Sequence, residues 1–355
     1  MEIWEFVIKP SIYISSLCYS ILRIEPWDTC SYSCLYCYAR WYRGPHGFPK
    51  PKPWIPKLFE RIVREIKVYP KPFFRLATLS EPFQRPWRGL FEIFETAERY
   101  EVPLVVNTKS DVRWNDLFNW LLRLADKRLL LVQVTVGFLE SSSLLEPRTP
   151  SPWRRLELIE RLREHGVPVV ARVQPLIPGL EEEQVRVARE ALERGALGII
   201  TESLRESEEG INIIYKVLGV KRSGKWEPYD IKGRLIHPSL RWRLERHFAF
   251  KSLARSYGKE HADCKDVCEF RGELKDCCLT HLAFESTKRP TLRDLLALGR
   301  ERACEKYLCG DRLRELGKLA RPFRMHEKLL LRAFEKRKEL CPLAYAESSV
   351  RGLND

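Results

Sequence analysis

The sequence predicts an α/β protein: a partial (β/α)6 TIM-like barrel over residues 20–205, preceded by a segment of residues 1–19 and followed by a mostly helical, cysteine-containing extension over residues 206–355. Three observations carry this reading. Short apolar runs alternate with stretches of helical periodicity, the mark of βα repeats and a parallel sheet. Six such units can be counted, fewer than the eight of a closed barrel. A chain of 355 residues with 44% hydrophobic content can bury one large domain and a smaller one.

In order, the strand candidates are Ser20–Ile24, Phe73–Ala77, Leu104–Asn107, Leu129–Val136, Val167–Val173 and Gly198–Ile200. Between them, Leu58/Ile62/Ile66, Leu90/Ile93/Phe94/Ala97, Leu117/Leu121/Leu124, Leu156/Ile159/Leu162 and Val185/Ala188/Leu192 recur at the spacing of one helix face. Gly166 and Gly195 stand where helix C-caps belong, each just ahead of the next strand.

The loop after the first strand carries Cys30-Ser-Tyr-Ser-Cys34-Leu-Tyr-Cys37. Three thiolates so close can wrap one [4Fe–4S] cube, which normally takes four cysteines. The next cysteine is Cys264, so one iron is expected to be open to a non-protein ligand. Zinc is the rival, but zinc sites come as two C-x2-C or C/H pairs and no second pair lies nearby. The C-x3-C-x2-C spacing, with Tyr36 before the third cysteine, resembles the radical S-adenosylmethionine (SAM) superfamily, whose cores have six βα units. The resemblance implies a cluster on Cys30, Cys34 and Cys37 that binds SAM and splits it to methionine and a 5′-deoxyadenosyl radical.

The other expected strand ends carry Ala77-Thr-Leu-Ser-Glu-Pro-Phe-Gln84, Asn107-Thr-Lys-Ser110, Glu146-Pro-Arg-Thr-Pro-Ser151 and Arg172-Val-Gln-Pro-Leu-Ile-Pro-Gly179. Together with Cys37-Tyr-Ala-Arg40, this series over roughly residues 20–200 resembles the spore photoproduct lyase-like branch. SAM contacts are then expected from six residues. Lys109 suits the carboxylate as a point cation, and Ser80 and Glu81 are acceptors for the ammonium or ribose. Tyr36 suits the adenine, while Thr135 and Arg172 suit the ribose or methionine end. The family usually has Asp where Glu81 stands. The alternative is that Lys109 and Arg172 form ion pairs with Glu81 or Glu146 at the barrel mouth. The lesion-repairing lyase has a hydrogen-donating cysteine inside its barrel, whereas no cysteine occurs here between Cys37 and Cys264. The resemblance therefore implies the radical generator and leaves the catalytic residues of the later steps unassigned.

A net charge of +14 and a pI near 9.3 suit a polyanionic partner or a basic thermophile-like surface. Between Tyr38 and Phe59, Arg40, Arg43, Lys50, Lys52 and Lys57 interleave with Trp41, Tyr42, Phe48 and Trp54, with no acidic residue. Cations for phosphates and aromatic faces for bases fit a nucleic acid or nucleotide substrate; the alternative is an aromatic lid over the barrel. Further on, Cys264, Cys268, Cys277 and Cys278 can hold a second Fe–S cluster or zinc, with Cys304, Cys309 or a histidine as further ligand, or form disulfides. A second centre would favour a protein- or peptide-modifying enzyme instead; a non-catalytic Fe–S nucleic-acid-binding protein is a third reading. A ferredoxin- or flavodoxin-type electron donor is expected. The longest charge-free run near the start, Ser11 to Leu22, is too short to span a bilayer, so a cytoplasmic protein without membrane contact is expected.

Overall fold

The computed structural model describes residues 3–9, 18–229, 234–264, 266 and 276–336. A seven-stranded, all-parallel sheet runs in the order β1-β2-β3-β4-β5-β6-β9. Its strands are β1 (Arg23–Ile24), β2 (Phe74–Leu76), β3 (Leu104–Thr108), β4 (Leu130–Thr135), β5 (Val169–Leu176), β6 (Gly198–Ser203) and β9 (Glu260–Asp263). Strands β7 (Trp226–Pro228) and β8 (Ile236–Pro238) form a separate antiparallel hairpin. The six expected strands are all present. The first is short because residues 20–22 turn aside to pair with the N-terminal segment: Val7 bridges Leu22, and the Ile8 N–H donates to Ile21 O at 2.7 Å.

The seventh strand was not expected. Glu260-His-Ala-Asp263 has neither apolar alternation nor β-branched residues, yet it pairs with β6 from Gly198↔Glu260 to Thr201↔Asp263. Gly198 permits the approach, since a Cβ there would lie 2.8 Å from both Glu260 O and Leu279 Cδ1. The parallel sheet thus takes its last strand from the extension, beyond residue 205.

Successive strand residues point to opposite faces. Leu104, Val106, Leu130, Val132, Val134, Val169 and Ala171 pack outward in the layer beneath the helices. Phe73, Val105, Leu131, Val170, Ile200 and Ala262 line the concave face. That face is filled by the extension, through Cys277, Cys278, Leu279, Ala283, Phe284, Leu292 and Leu295. The Arg289 Nε donates to Cys18 O at 2.9 Å and the Tyr19 hydroxyl to Asp294 at 3.1 Å, tying the extension to the chain just before β1. Among the described residues no helix is long and apolar enough to cross a membrane.

Candidate active site

The cysteine loop follows β1, Ser80, Glu81 and Lys109 follow β2 and β3, Thr135 ends β4, and Arg172 lies level with Thr135 on β5, so they gather toward the C-terminal ends of the strands, where barrel active sites lie. Cys30 and Cys34 are buried, Cys37 is half-buried, and none is disulfide-bonded. The loop is held by backbone and amide bonds: the Gly47 N–H donates to Cys30 O at 3.2 Å, and Ser31 N–H donates to the Gln84 side chain at 2.8 Å. Gln84 in turn donates to Thr29 O at 3.0 Å, and Leu35 N–H to Leu145 O at 2.9 Å.

Burial pushes the Cys34 thiol up. Burial also opposes ionisation of Cys37, but the His46 hydrogen bond and the Arg43 charge overcome it and hold that thiol below its usual range. His46 rises to about 9 through hydrogen bonds to Cys30 and Cys37. Arg43 is turned inward, donating to Leu79 O at 2.6 Å, Thr29 Oγ1 at 3.0 Å and Cys37 Sγ at 3.8 Å. Positive charge beside these thiols favours the thiolate, the form that binds metal.

Lys109, Tyr36 and Glu146 form one buried knot. The Lys109 ammonium lies 2.5 Å from Glu146 and 2.8 Å from the Tyr36 hydroxyl, which itself hydrogen-bonds Glu146. The Tyr36 ring packs edge-on against Phe138 at 5.8 Å. Arg155, with no exposed surface, closes the knot: it donates to Glu146 at 2.5 Å, Ser142 Oγ at 3.0 Å and Thr135 O at 2.9 Å. Burial raises the Glu146 carboxyl, but the Arg155 and Lys109 charges prevail and bring it to about 2. Of the two arrangements open for Lys109, the structure contains the ion pair with Glu146. Arg155 escaped the sequence reading, although it shares a helix face with Leu156, Ile159 and Leu162.

Glu81 caps the end of β3. One carboxylate oxygen accepts from the Thr108 hydroxyl at 2.6 Å and Phe83 N at 3.1 Å, the other from Lys109 N at 2.7 Å. Its loop is held from below by Glu25, which accepts from Thr78 N at 2.8 Å and Leu79 N at 3.1 Å. Thr135 and Arg172 face each other in register on β4 and β5. Arg172 donates to Gln133 at 2.6 Å and Gln174 at 3.1 Å and lies 3.8 Å from Glu202. Two polar atoms at these strand ends, Ser80 Oγ and Asn107 Oδ1, are buried without a partner. Buried polar atoms are rarely left so. Together with three thiols on one loop, they fit a polar cofactor seated across β1 to β3.

Burial lifts Glu81 to about 7 against its three hydrogen bonds. The folded state therefore holds a proton that the unfolded chain releases near the usual 4.5. Its contribution to stability is present below pH 4.5 and lost as pH rises through about 7. We expect Glu81→Gln to flatten the fall in urea midpoint between pH 5 and pH 8; equal slopes in the two proteins would rule this out.

The cysteines of the extension are divided. Cys304 and Cys309 form a disulfide, so they are not available as ligands. Cys264, Cys277 and Cys278 are buried and not disulfide-bonded, while Cys268 lies outside the described residues. Cys278 reaches the concave face of the barrel, where its carbonyl accepts from Gln133 Nε2 at 2.9 Å and its sulfur from Arg75 at 3.1 Å. The barrel interior thus does contain a cysteine, supplied from far downstream of Cys37. Its thiol is brought to about 6 by the hydrogen bond with Cys277 and, against burial, by the Arg75 charge. A polar cleft of about 910 Å³ lined by Lys71, Glu98, Arg99, Arg123 and His281 opens at the opposite ends of the strands, away from all these groups.

Residues 24–192 match the model of the radical SAM superfamily. An uncharacterized protein of Methanocaldococcus jannaschii is 26% identical over 172 residues, 44% of this chain and 61% of its own length. An uncharacterized protein of Acidianus two-tailed virus is 26% identical over 171 residues, 44% of this chain and 56% of its own. The chain therefore spans under two thirds of the length of these relatives. Among solved structures, a cysteine-to-serine variant of spore photoproduct lyase superposes with a TM-score of 0.56 at 15% identity, covering 73% of this chain and 80% of that one. A double variant of the same lyase, with bound S-adenosylmethionine and dinucleoside spore photoproduct, gives 0.51 at 17% identity over 67% and 73%. These likenesses are of fold.

Proposed function

Because residues 24–192 match the radical SAM superfamily model, we propose that the chain cleaves SAM reductively and uses the resulting radical on a nucleic acid or nucleotide. The observation that carries the first half is the loop of three thiols without a nearby fourth, set beside unpartnered Ser80 Oγ and Asn107 Oδ1. Cys30, Cys34 and Cys37 would hold a [4Fe–4S] cluster, which with SAM supplies reductive C–S cleavage. Ser80 Oγ and Asn107 Oδ1, which no protein group satisfies, would hydrogen-bond the cofactor. Lys109 would exchange its Glu146 partner for the SAM carboxylate, Arg155 holding Glu146 paired meanwhile. Tyr36, Glu81, Thr135 and Arg172 complete the proposed contacts, with Glu81 acting through the loop it caps.

The substrate reading rests on the surface beside the cysteine loop. Tyr38, Trp41, Tyr42, Phe48 and Trp54 are all exposed there. Arg40 lies 5.2 Å over Trp41, and Arg85 lies 4.3 Å over Phe48. Arg43 is spent on the cysteine loop and Lys52 on Glu5 at 2.7 Å, so Lys50, Lys57 and Arg85 are the exposed cations suited to phosphate. Stacking faces beside cations are what a single strand or an extruded base requires. For the C-terminal thiols we favour a second metal centre, since Cys264, Cys277 and Cys278 are buried together in one cluster on the concave face.

The test is binding of a single-stranded oligonucleotide as salt is varied. Affinity should fall steeply with salt, and Lys50→Ala, Lys57→Ala and Arg85→Ala together should flatten the log–log slope by about 2. Phe48→Ala should weaken binding by about 5- to 150-fold, one lost stacking contact. No binding of single- or double-stranded oligonucleotides at low salt would transfer the substrate to a protein or peptide.

A further inference from the structure

On the concave face of the sheet, three buried arginines lie beside thiols, and each has one side-chain nitrogen without a hydrogen-bond partner. Arg75, on β2, donates through Nη2 to Cys18 Sγ at 3.2 Å and to Cys278 Sγ at 3.1 Å, and its Nε has no partner. Arg289 donates to Cys18 O, and its Nη2 has no partner. Arg293 lies in the field of Cys277 together with Asp263 and Asp294, and its Nε has none either. Among the described residues no carboxylate pairs with Arg75. A guanidinium cannot shed its proton, and burying it unpaired costs several kcal/mol. Arg75 therefore calls for negative charge, and the groups that face it are the sulfurs of Cys18, Cys278, Cys264 and Cys277, whereas Asp294 and Asp263 stand beside Arg289 and Arg293.

Asp276 lies with Cys277 and Cys278 in one group whose ligand atoms are within 4.8 Å of one another. Its carboxylate, however, is already taken by Cys278 N at 2.9 Å, Thr280 N at 3.0 Å and the Lys288 ammonium at 2.9 Å. It caps its own turn, so another donor must complete the set. Cys18 fits that role: it is buried, not disulfide-bonded and shares the Arg75 nitrogen with Cys278.

We propose that Cys18, from the segment before β1, joins Cys264, Cys277 and Cys278 as the fourth thiolate of a thiophilic metal centre, with Arg75 donating to the sulfurs of Cys18 and Cys278. A divalent ion with four thiolates carries two negative charges, one of which the Arg75 guanidinium offsets. The centre would pin the segment before β1 to the extension across the open side of the barrel. This rests on the reading of the C-terminal thiols as a metal site and adds to it a ligand from the other end of the chain.

The experiment uses the full chain with Cys30, Cys34 and Cys37 replaced by alanine, prepared anaerobically and offered either zinc or iron with sulfide. Metal per chain and metal-edge X-ray absorption then report occupancy and the number of sulfur ligands, and the two arms distinguish zinc from an iron–sulfur cluster. We expect one centre with four protein sulfurs, falling to three with at least 10-fold weaker binding in Cys18→Ser, and unchanged in Cys268→Ser. Four protein sulfurs retained in Cys18→Ser would overturn the role of Cys18 while leaving the metal site standing. No metal in the parent protein under either condition would overturn both. Should Cys18→Ser fail to fold by circular dichroism, Arg75→Lys provides the second arm. It keeps the charge but loses the forked donation, and its sulfur K-edge should shift for a bound centre; an unshifted edge would count against the proposal.

Discussion

Replacing Cys34 by alanine is expected to abolish SAM cleavage altogether. Cys34 is the middle thiol of the loop and is buried beside Lys109 and Glu146. Two thiols cannot hold a cube that ordinarily takes four and here has three. The anaerobically reconstituted protein, given dithionite and SAM, should release 5′-deoxyadenosine. The Cys34→Ala protein should release none, and it should lose the cluster's visible absorption and EPR signal together with activity. A wild-type protein carrying a full cluster yet releasing no deoxyadenosine would end the enzymatic reading. The barrel would then be a cluster-dependent binding module.

The second large effect is on stability. Arg155→Met should destabilise the apo protein by about 3–5 kcal/mol, because it strands the buried Glu146 carboxylate with one cation fewer. The double variant Arg155→Met/Glu146→Leu should recover much of that loss, since it removes both charges. A double variant no more stable than the single one would show that Arg155 acts through Ser142 and Thr135 instead. Acid should mimic the loss. Glu146 is held near 2, below its usual 4.5, so its contribution is present above pH 4.5 and disappears as pH falls toward 2. In Glu146→Gln that part of the acid transition should be missing, a difference readable from urea midpoints between pH 5 and pH 3.

The cysteine loop was legible in the sequence because its chemistry is local: three thiols within eight residues leave few alternatives. The six strands were legible because each lies in a short, mainly apolar run of the kind a sheet covered on both faces requires. The ordering of strand-end motifs followed from the same repeat, since every βα unit returns the chain to one end of the sheet. Within those limits the fold class and the likeness to the radical SAM superfamily were readable from residues alone.

What only the tertiary structure decided involves groups far apart in the chain. Strand β9 is Glu260-His-Ala-Asp263, with no periodicity of its own; Gly198 lets it approach and β6 supplies its hydrogen bonds. The Lys109–Glu146–Arg155 knot joins three elements, and no spacing rule predicts which cation a buried carboxylate will choose. Arg43 and Lys52 looked like phosphate ligands by composition, but a backbone carbonyl and the Glu5 carboxylate claim them. Cys18 and Cys278 are separated by 260 positions in sequence, yet they share one guanidinium nitrogen of Arg75. A lone cysteine before β1 carries no signal by itself. It gains one only when a buried positive charge must be neutralised, and burial is a property of the folded chain.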